Sequence, residues 1–582
     1  MTTLCWFGGR SDAGPAPVGA RHIHPDLPPL WICGAWPEHE VRTAVAGPRR
    51  VTILGPCSAT PGQLAQLART GTTDQVASAF TGAYTVIEPS PAATIIYTDP
   101  GHVCPIYLAR TSGGVLWGSS ALALAALIGA DVDQRWLAAT LAGLRPGVLA
   151  GRSPFTGITA VPPGARLHLD QHGHIQIRTT WRPPAATLDL PDGAQALRAV
   201  LREAVAVRLQ PGQVTSADCS GGLDSTSLTL LAASLCGPAD AVQAITVHPE
   251  GITSGGDLDY ARAATGHHPG IRHLLCPLGQ QHLPYTAMTE LLPVTDEPAP
   301  GTITIARAVA EFDLLCELGS TCHFTGDGGD TLLGWHPSYL AEHLRTGRVR
   351  TAWHQGLGWA RLRRIPVWPV LRTALATVTS RDYPARPVLR WLTGHARALA
   401  DEQAAATVPP PKEPVGQAVL LEAMRLVART AHADRQLAAA YGVRVHNPFT
   451  DAQVLHAVLA TKTAQRATPY RYKPLLATAM TGLLPPAVAA RRTKGDFTAD
   501  HHQGLREHHT QLRHLTRGQL AERGLIDPEA MAGLIDQAAA GVPVLFSDFE
   551  PLLATEAWLR VLADHTSAAS WPPARQIQEC GR

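Results

Sequence analysis

The stretch SADCSGGLDSTSLTLLAAS, residues 216–234, sets Ser220, Gly221, Gly222, Leu223, Asp224 and Ser225 in succession ahead of an apolar run. Leu228, Leu231 and Leu235 recur at helical spacing and Gly237 closes the run, so a helix starts close to Ser225. Two readings fit these residues. Gly-Gly followed by Asp-Ser ends a strand and caps a helix. Alternatively, successive backbone N–H groups around the glycines converge on an anion at the positive end of the helix, with Ser220 and Ser225 adding hydroxyls. In that second reading Asp224 opposes a phosphate unless a divalent cation bridges the two. The spacing is not G-x-x-x-x-G-K-[ST], and no lysine follows the glycines.

A second stretch has the same form. TCHFTGDGGDTLLGW, residues 321–335, reads as a strand, then Thr325, Gly326, Asp327, Gly328, Gly329 and Asp330, then an apolar run. Between and around the two stretches, helices at 194–209, 224–236, 257–265 and 303–318 alternate with strands AVQAITVH and IRHLLCPL. That alternation predicts a parallel sheet whose ligands lie beyond the carboxyl ends of its strands. Both loops then emerge on one edge, where Asp224 and Asp330 can share a metal.

Before this region the pattern changes. AYTVIE, ATIIYTD, CPIYLAR, GVLWGS and ARLHLD are short, β-like and separated by turn residues, predicting a strand-rich layered domain over 1–185. The Pro-rich connector 180–193 leads to a second domain over 194–582 that is mostly helical beyond about 340. A chain of 582 residues is long enough for two or more cores. Charged residues are 16% and the formal charge is +2, offering no broad electrostatic surface to nucleic acid or anionic lipid. Ten scattered cysteines without C-x-x-C, no apolar stretch of spanning length and no basic-then-apolar leader point to the cytoplasm, without membrane or nucleic-acid partners. The histidines of HHPGIRH and HHQGLREHH lack zinc-ligand spacing and read as surface groups.

The paired loops resemble those of the asparagine synthetase B superfamily, whose S-G-G-x-D-S binds pyrophosphate and whose later G-[ED]-G-x-D supplies a second metal-binding Asp. The resemblance extends to YKPLLATAMTGLLPPAVAARRTKGDF, to VRVHNPFTD with Arg444, Pro448, Phe449 and Asp451, and to several N-terminal segments. It implies a glutaminase-like α+β sandwich of the N-terminal-nucleophile type, followed by an adenine nucleotide alpha hydrolase-like parallel-sheet domain. It also implies ATP and Mg²⁺ as cofactors, with Ser220, Gly221, Gly222, Leu223, Asp224, Ser225, Val247, Thr325, Gly326 and Asp330 around the nucleotide. Asp224 and Asp330 are the implied metal ligands. Lys473 and Lys494 are the implied ATP-facing lysines, with Lys494 neutralising charge during reaction and Asp327 a third catalytic position. Asp259, Asp296, Glu297 and Arg307 fall where the family carries substrate-side groups.

A glutamine-using member needs Cys after the initiator Met, because its own α-amine activates the thiol. Position 2 is Thr, the first cysteine is Cys5, and no N-G-E-x-Y-N segment occurs, so the first domain is expected to be inactive. β-Lactam synthetases carry Tyr where Asp327 stands. The segments TVHPEGITSGGDLDYARAA and DEPAPGTITIAR resemble lasso-peptide cyclases of actinobacterial type. That branch implies a precursor peptide as substrate, with a leader-peptide-binding protein and a leader protease as partners. A β-lactam synthetase or ammonia-dependent amide ligase, and a non-catalytic scaffold for such partners, are the other readings.

Overall fold

The computed structural model describes residues 5–564 apart from 13, 25–26, 145, 238–239, 335–338, 380–388, 407–414, 492–494 and 496–497. Its first part is two antiparallel six-stranded sheets. One runs in the order Ile158–Ala160, Tyr107–Thr111, Gly114–Gly118, Trp6–Arg10, Leu30–Cys33, Arg21–His22; the other in the order Ile175–Thr179, Ala165–Asp170, Ala93–Tyr97, Thr85–Pro89, Arg49–Leu54, Val41–Ala46. Period-2 alternation explains how they stack: Phe7, Ile32, Leu108 and Trp117 of the first meet Leu54, Ile87, Ile96 and Leu167 of the second in one buried layer. On the outer face of one sheet, Val51, Ile53 and Val86 bury against Leu64 and Ala68 of the helix Pro61–Thr70. On the outer face of the other, Trp31, Tyr107 and Leu116 bury against the helix Ala121–Ile128. The result is helix, sheet, sheet, helix: the strand-rich layering that the strand pattern predicts, in the α+β sandwich that the resemblance implies.

The second part is built on a parallel sheet in the order Ile271–Leu278, Val242–Pro249, Thr215–Asp218, Cys322–Phe324, Val445–His446. Its first three strands are added in one direction from Thr215–Asp218, and the next returns to that strand's other side. The topological switch therefore lies between Thr215–Asp218 and Cys322–Phe324, where open sheets of this kind place their ligands. The helices Leu223–Leu235 and Gly256–Thr265 cover one face with Ala217, Ala244 and Phe324 beneath them. The helix Ile305–Glu317 lies over the other, against Ile245 and Cys276.

The helix expected over 194–209 instead runs Leu190–Ala206. Pro191 occupies its first turn, where a missing N–H costs nothing, so the helix starts inside the Pro-rich connector rather than after it. No described helix is long and apolar enough to cross a membrane.

Candidate functional site

Both glycine-rich loops leave the same edge of the parallel sheet. In the first, the Ser220 and Ser225 hydroxyls lie 3.0 Å apart, and the Gly222 N–H donates to Ser220 Oγ at 3.4 Å. Gly221 adopts a φ of 69°, and a Cβ there would sit 2.6 Å from Tyr260 Cβ. Only glycine lets this turn press so closely on the neighbouring helix. Leu223 is buried as the first residue of the 13-residue helix Leu223–Leu235, and Asp224 follows in its first turn.

The second loop folds directly onto the first. A Cβ on Gly326 would lie 2.8 Å from Ser225 N, and one on Gly329 would lie 2.5 Å from Asp224 Cγ. These glycines bring Asp330 beside Asp224, and both carboxylates reach the ammonium of Lys473, which bonds to Asp224 and lies 2.6 Å from Asp330. Lys473 is 1% exposed and has a φ of 39°, a left-handed conformation that costs a non-glycine residue about 1 kcal/mol or more. Burial opposes its charge, but Asp224 and Asp330 outweigh burial and hold its pKa above that of an ordinary lysine. Tyr472 donates to Asp330 at 3.3 Å and lies under the Lys473 ammonium, 5.2 Å from ring centre to nitrogen.

Of the remaining positions implied by resemblance, Thr325 is buried and its hydroxyl accepts the Asp327 N–H at 3.3 Å, while Asp327 itself is exposed. Val247 is half-buried near the carboxyl end of its strand. Asp259 is exposed, 3.9 Å from Arg262. Lys494 lies outside the described residues. On either side of it, Arg491 and Gly495 both bond to Asp257, and Arg491 also donates to the Ser220 carbonyl at 3.3 Å and stacks over Tyr260. Arg491 and Asp257 thus tie Gly495 to the first loop, a role their sequence surroundings do not signal.

Asp296 departs from the substrate-side position expected for it. It is wholly buried between the two parts of the chain, accepting from Ser120 Oγ at 2.6 Å and Leu122 N at 2.9 Å, with His432 Nε2 at 2.9 Å. Burial raises its pKa, but His432, Ser120 and the Leu122 N–H more than offset this and hold it below the usual aspartate value. Glu297 is paired with Arg429 at 2.6 Å. Of the VRVHNPFTD residues, Asp451 forms a buried bidentate pair with Arg208 (2.6 and 2.8 Å), and Arg444 reaches Glu40 of the first part at 2.6 Å. These acids and bases hold the architecture together.

At the roots of the two loops stands a group the sequence reading passed over. Asp218, Glu311 and His323 bring ligating atoms within 4.8 Å of one another, with His323 Nε2 3.2 Å from Asp218 Oδ1 and 3.8 Å from Glu311 Oε1. Arg307 is close enough to lower the pKa of Glu311.

Residues 196–560 match the asparagine synthase family, and the chain belongs to that family. Carboxyethyl-arginine beta-lactam-synthase of Streptomyces clavuligerus is 29% identical over 189 residues, 32% of this chain and 34% of that protein, so the chain spans about a third of that relative's length. Among solved structures, the allosteric regulatory enzyme of purine biosynthesis is 10% identical over 56% of this chain and 74% of its own, at a TM-score of 0.21. Glutamine phosphoribosylpyrophosphate amidotransferase from B. subtilis, complexed with ADP and GMP, is 11% identical over 51% and 67%, at 0.19. At these scores neither bears on the architecture.

Proposed function

We propose that this chain is an ATP-dependent, AMP-forming amide ligase that closes a macrolactam in a peptide, joining an Asp or Glu side chain to the peptide's N-terminal amine as lasso-peptide cyclases do. Enzymes of the asparagine synthase family use ATP. The observation that carries the reading is the convergence of Asp224 and Asp330, from two separate loops, on one buried cation at the carboxyl edge of the sheet. Two carboxylates meeting at one point, beside a glycine turn and a helix N-terminus, are a hard-oxygen donor set suited to Mg²⁺ next to phosphate. Bound there by Asp224 and Asp330, Mg²⁺ supplies positive charge against the polyphosphate.

In this reading the chain's own groups act in sequence. The Ser220–Ser225 turn receives the pyrophosphate end of ATP. The substrate carboxylate attacks the α-phosphorus, forming an acyl-adenylate and releasing pyrophosphate, while Lys473 offsets departing charge. The amine then attacks the activated carbonyl, Lys494 stabilises the oxyanion, Asp327 serves as the third catalytic position, and AMP leaves. A peptide α-amine has a pKa of about 7.7–8.0, so part of it is already neutral near pH 7 and the main task is holding two ends of one molecule together. A precursor peptide, a leader-binding protein and a leader protease belong to this reading as partners.

The match to carboxyethyl-arginine beta-lactam-synthase favours a second reading, closure of a small β-lactam ring by the same adenylation chemistry. Asp327 in place of the Tyr of β-lactam synthetases speaks against it. Incubation with ATP, Mg²⁺ and leader-trimmed peptides, followed by mass spectrometry, separates the two. Loss of one water from a peptide with matching AMP release is expected; water loss only from a small amino acid substrate would favour the β-lactam reading, and AMP formation from none would leave a scaffold.

A further inference from the structure

Asp218 is the last residue of its strand, two positions before Ser220, and His323 is two positions before Thr325. The two strands are paired, with Ser216 opposite His323, so Asp218 and His323 flank the topological switch of the sheet. Glu311 reaches the same point from the covering helix Ile305–Glu317. A hydrogen-bonded chain fixes the imidazole: Ser320 Oγ lies 2.6 Å from Ser216 Oγ, which lies 2.9 Å from His323 Nδ1. On its other side His323 Nε2 lies 3.2 Å from Asp218 Oδ1, so the ring is held between the serine pair and the carboxylate.

The two carboxyl groups differ. Burial raises both, but the hydrogen bond and charge of His323, with hydrogen bonds from Glu311 and Thr325, reverse the effect at Asp218 and hold it below the ordinary aspartate range. Burial and the Asp218 charge together push Glu311 well above the ordinary glutamate range. Its Oε1 is buried, faces His323 and makes no hydrogen bond among the described residues. The other charged or titratable groups felt here are Arg307 on the same helix, Asp327 on the loop and Cys276 on the sheet. Asp218, 30% exposed, opens toward the loops; Glu311 and His323, 18% and 5% exposed, stand behind it.

Resting on the ligase reading above, we infer that Asp218 and Glu311 form the seat of the attacking amine, Asp218 anchoring it and Glu311 receiving its proton, with His323 as a positioning residue for Asp218. As the C–N bond forms and the C–O bond to AMP breaks, the proton that the amide nitrogen does not keep passes to Glu311 in enzyme whose Glu311 has first released its own proton, so the rate rises with pH as that carboxyl ionises. AMP carries the electron pair away. Two carboxyl groups whose environments drive their pKa values apart divide the work of anchor and base.

The test separates the two half-reactions. Exchange of labelled pyrophosphate into ATP reads adenylation, using synthetic peptides that each carry one internal Asp or Glu; mass spectrometry reads ring closure. An N-acetylated peptide supports exchange alone. For Glu311→Gln, exchange is expected within about twofold of wild type and ring closure to fall about 100-fold. Hydroxylamine, a nucleophile needing little deprotonation, still traps the adenylate as a hydroxamate. The ascending limb of the ring-closure pH profile that Glu311 sets disappears in this variant, leaving only the limb of the amine. His323→Gln shows the same split more weakly, and Glu311→Asp serves if the first variant does not fold. Ring closure at the wild-type rate in Glu311→Gln, or parallel loss of exchange and closure in folded variants, overturns the proposal. Absence of exchange in the wild-type protein overturns the ligase reading itself, and this inference with it.

Discussion

Two pairs of carboxyl groups stand at the roots of the same two loops, and they are settled in opposite ways. Asp224 and Asp330 are bridged by the buried ammonium of Lys473, a charge that persists across the working range of pH. Asp218 and Glu311 instead stay together through a proton and the imidazole of His323. The first pair is arranged to meet a cation and the phosphates it accompanies. The second is arranged to change its protonation. A few residues along each strand thus separate permanent charge from exchangeable charge.

The largest expected effect breaks the first pair. Asp224→Asn or Asp330→Asn removes a converging charge while keeping the side chain's size, and should reduce adenylation by about 10³-fold or more in pyrophosphate exchange, with the circular dichroism spectrum unchanged. Substitution of their bridge follows. Lys473→Met should reduce exchange by about 100-fold and also lower stability by about 3 kcal/mol in urea titration, because Asp224 keeps its burial without its partner. The figure is at the low end for a buried pair, since Asp330 is 52% exposed and screened by water.

Stability against pH sharpens the contrast. Glu311 has its folded pKa raised above its unfolded value, so as pH rises past about 4.5 the unfolded chain releases this proton while the folded chain retains it. Its contribution is therefore complete at low pH and lost as pH climbs toward the folded value. The urea midpoint of Glu311→Gln should gain on wild type as pH rises from about 4.5 toward the raised folded value. Lys473, also raised, contributes stability that persists through that interval, so Lys473→Met should show a nearly constant deficit across it. The smallest effect is expected in the first part of the chain: Cys5→Ala should leave ring closure unchanged, since the Cys5 thiol donates to the Ala35 carbonyl at 3.0 Å and stands apart from both loops in the sequence.

The main frame of the second part is legible because its signals are local. Period-2 segments alternate with period-3.6 segments, and each glycine-rich loop directly follows a strand, which is enough to predict one edge for Asp224 and Asp330. Lys473 becomes visible only through resemblance, since an isolated Lys-Pro ahead of a short helix looks like an ordinary surface lysine. Glu311 is hidden in AEFDLL, where an acid on an amphipathic helix reads as a solvated position, and His323 is a lone histidine in a three-residue strand. Their meeting depends on helix-to-sheet packing, which no local pattern encodes. Asp296 shows the reverse problem. TDEPAP reads as an open acidic loop, yet its carboxylate is satisfied by a helix about 170 residues earlier, at |i−j| of 174 and 176.

That carboxylate has a practical consequence. Asp296 accepts the Leu122 N–H in the first turn of the helix Ala121–Ile128, so one half of the chain completes a helix terminus belonging to the other. Cutting the gene near the Pro-rich connector would leave that terminus bare on one fragment and leave the Asp296 carboxylate with His432 but without its bonds from Ser120 and Leu122 on the other. The contact makes the stability of each part depend on the presence of the other.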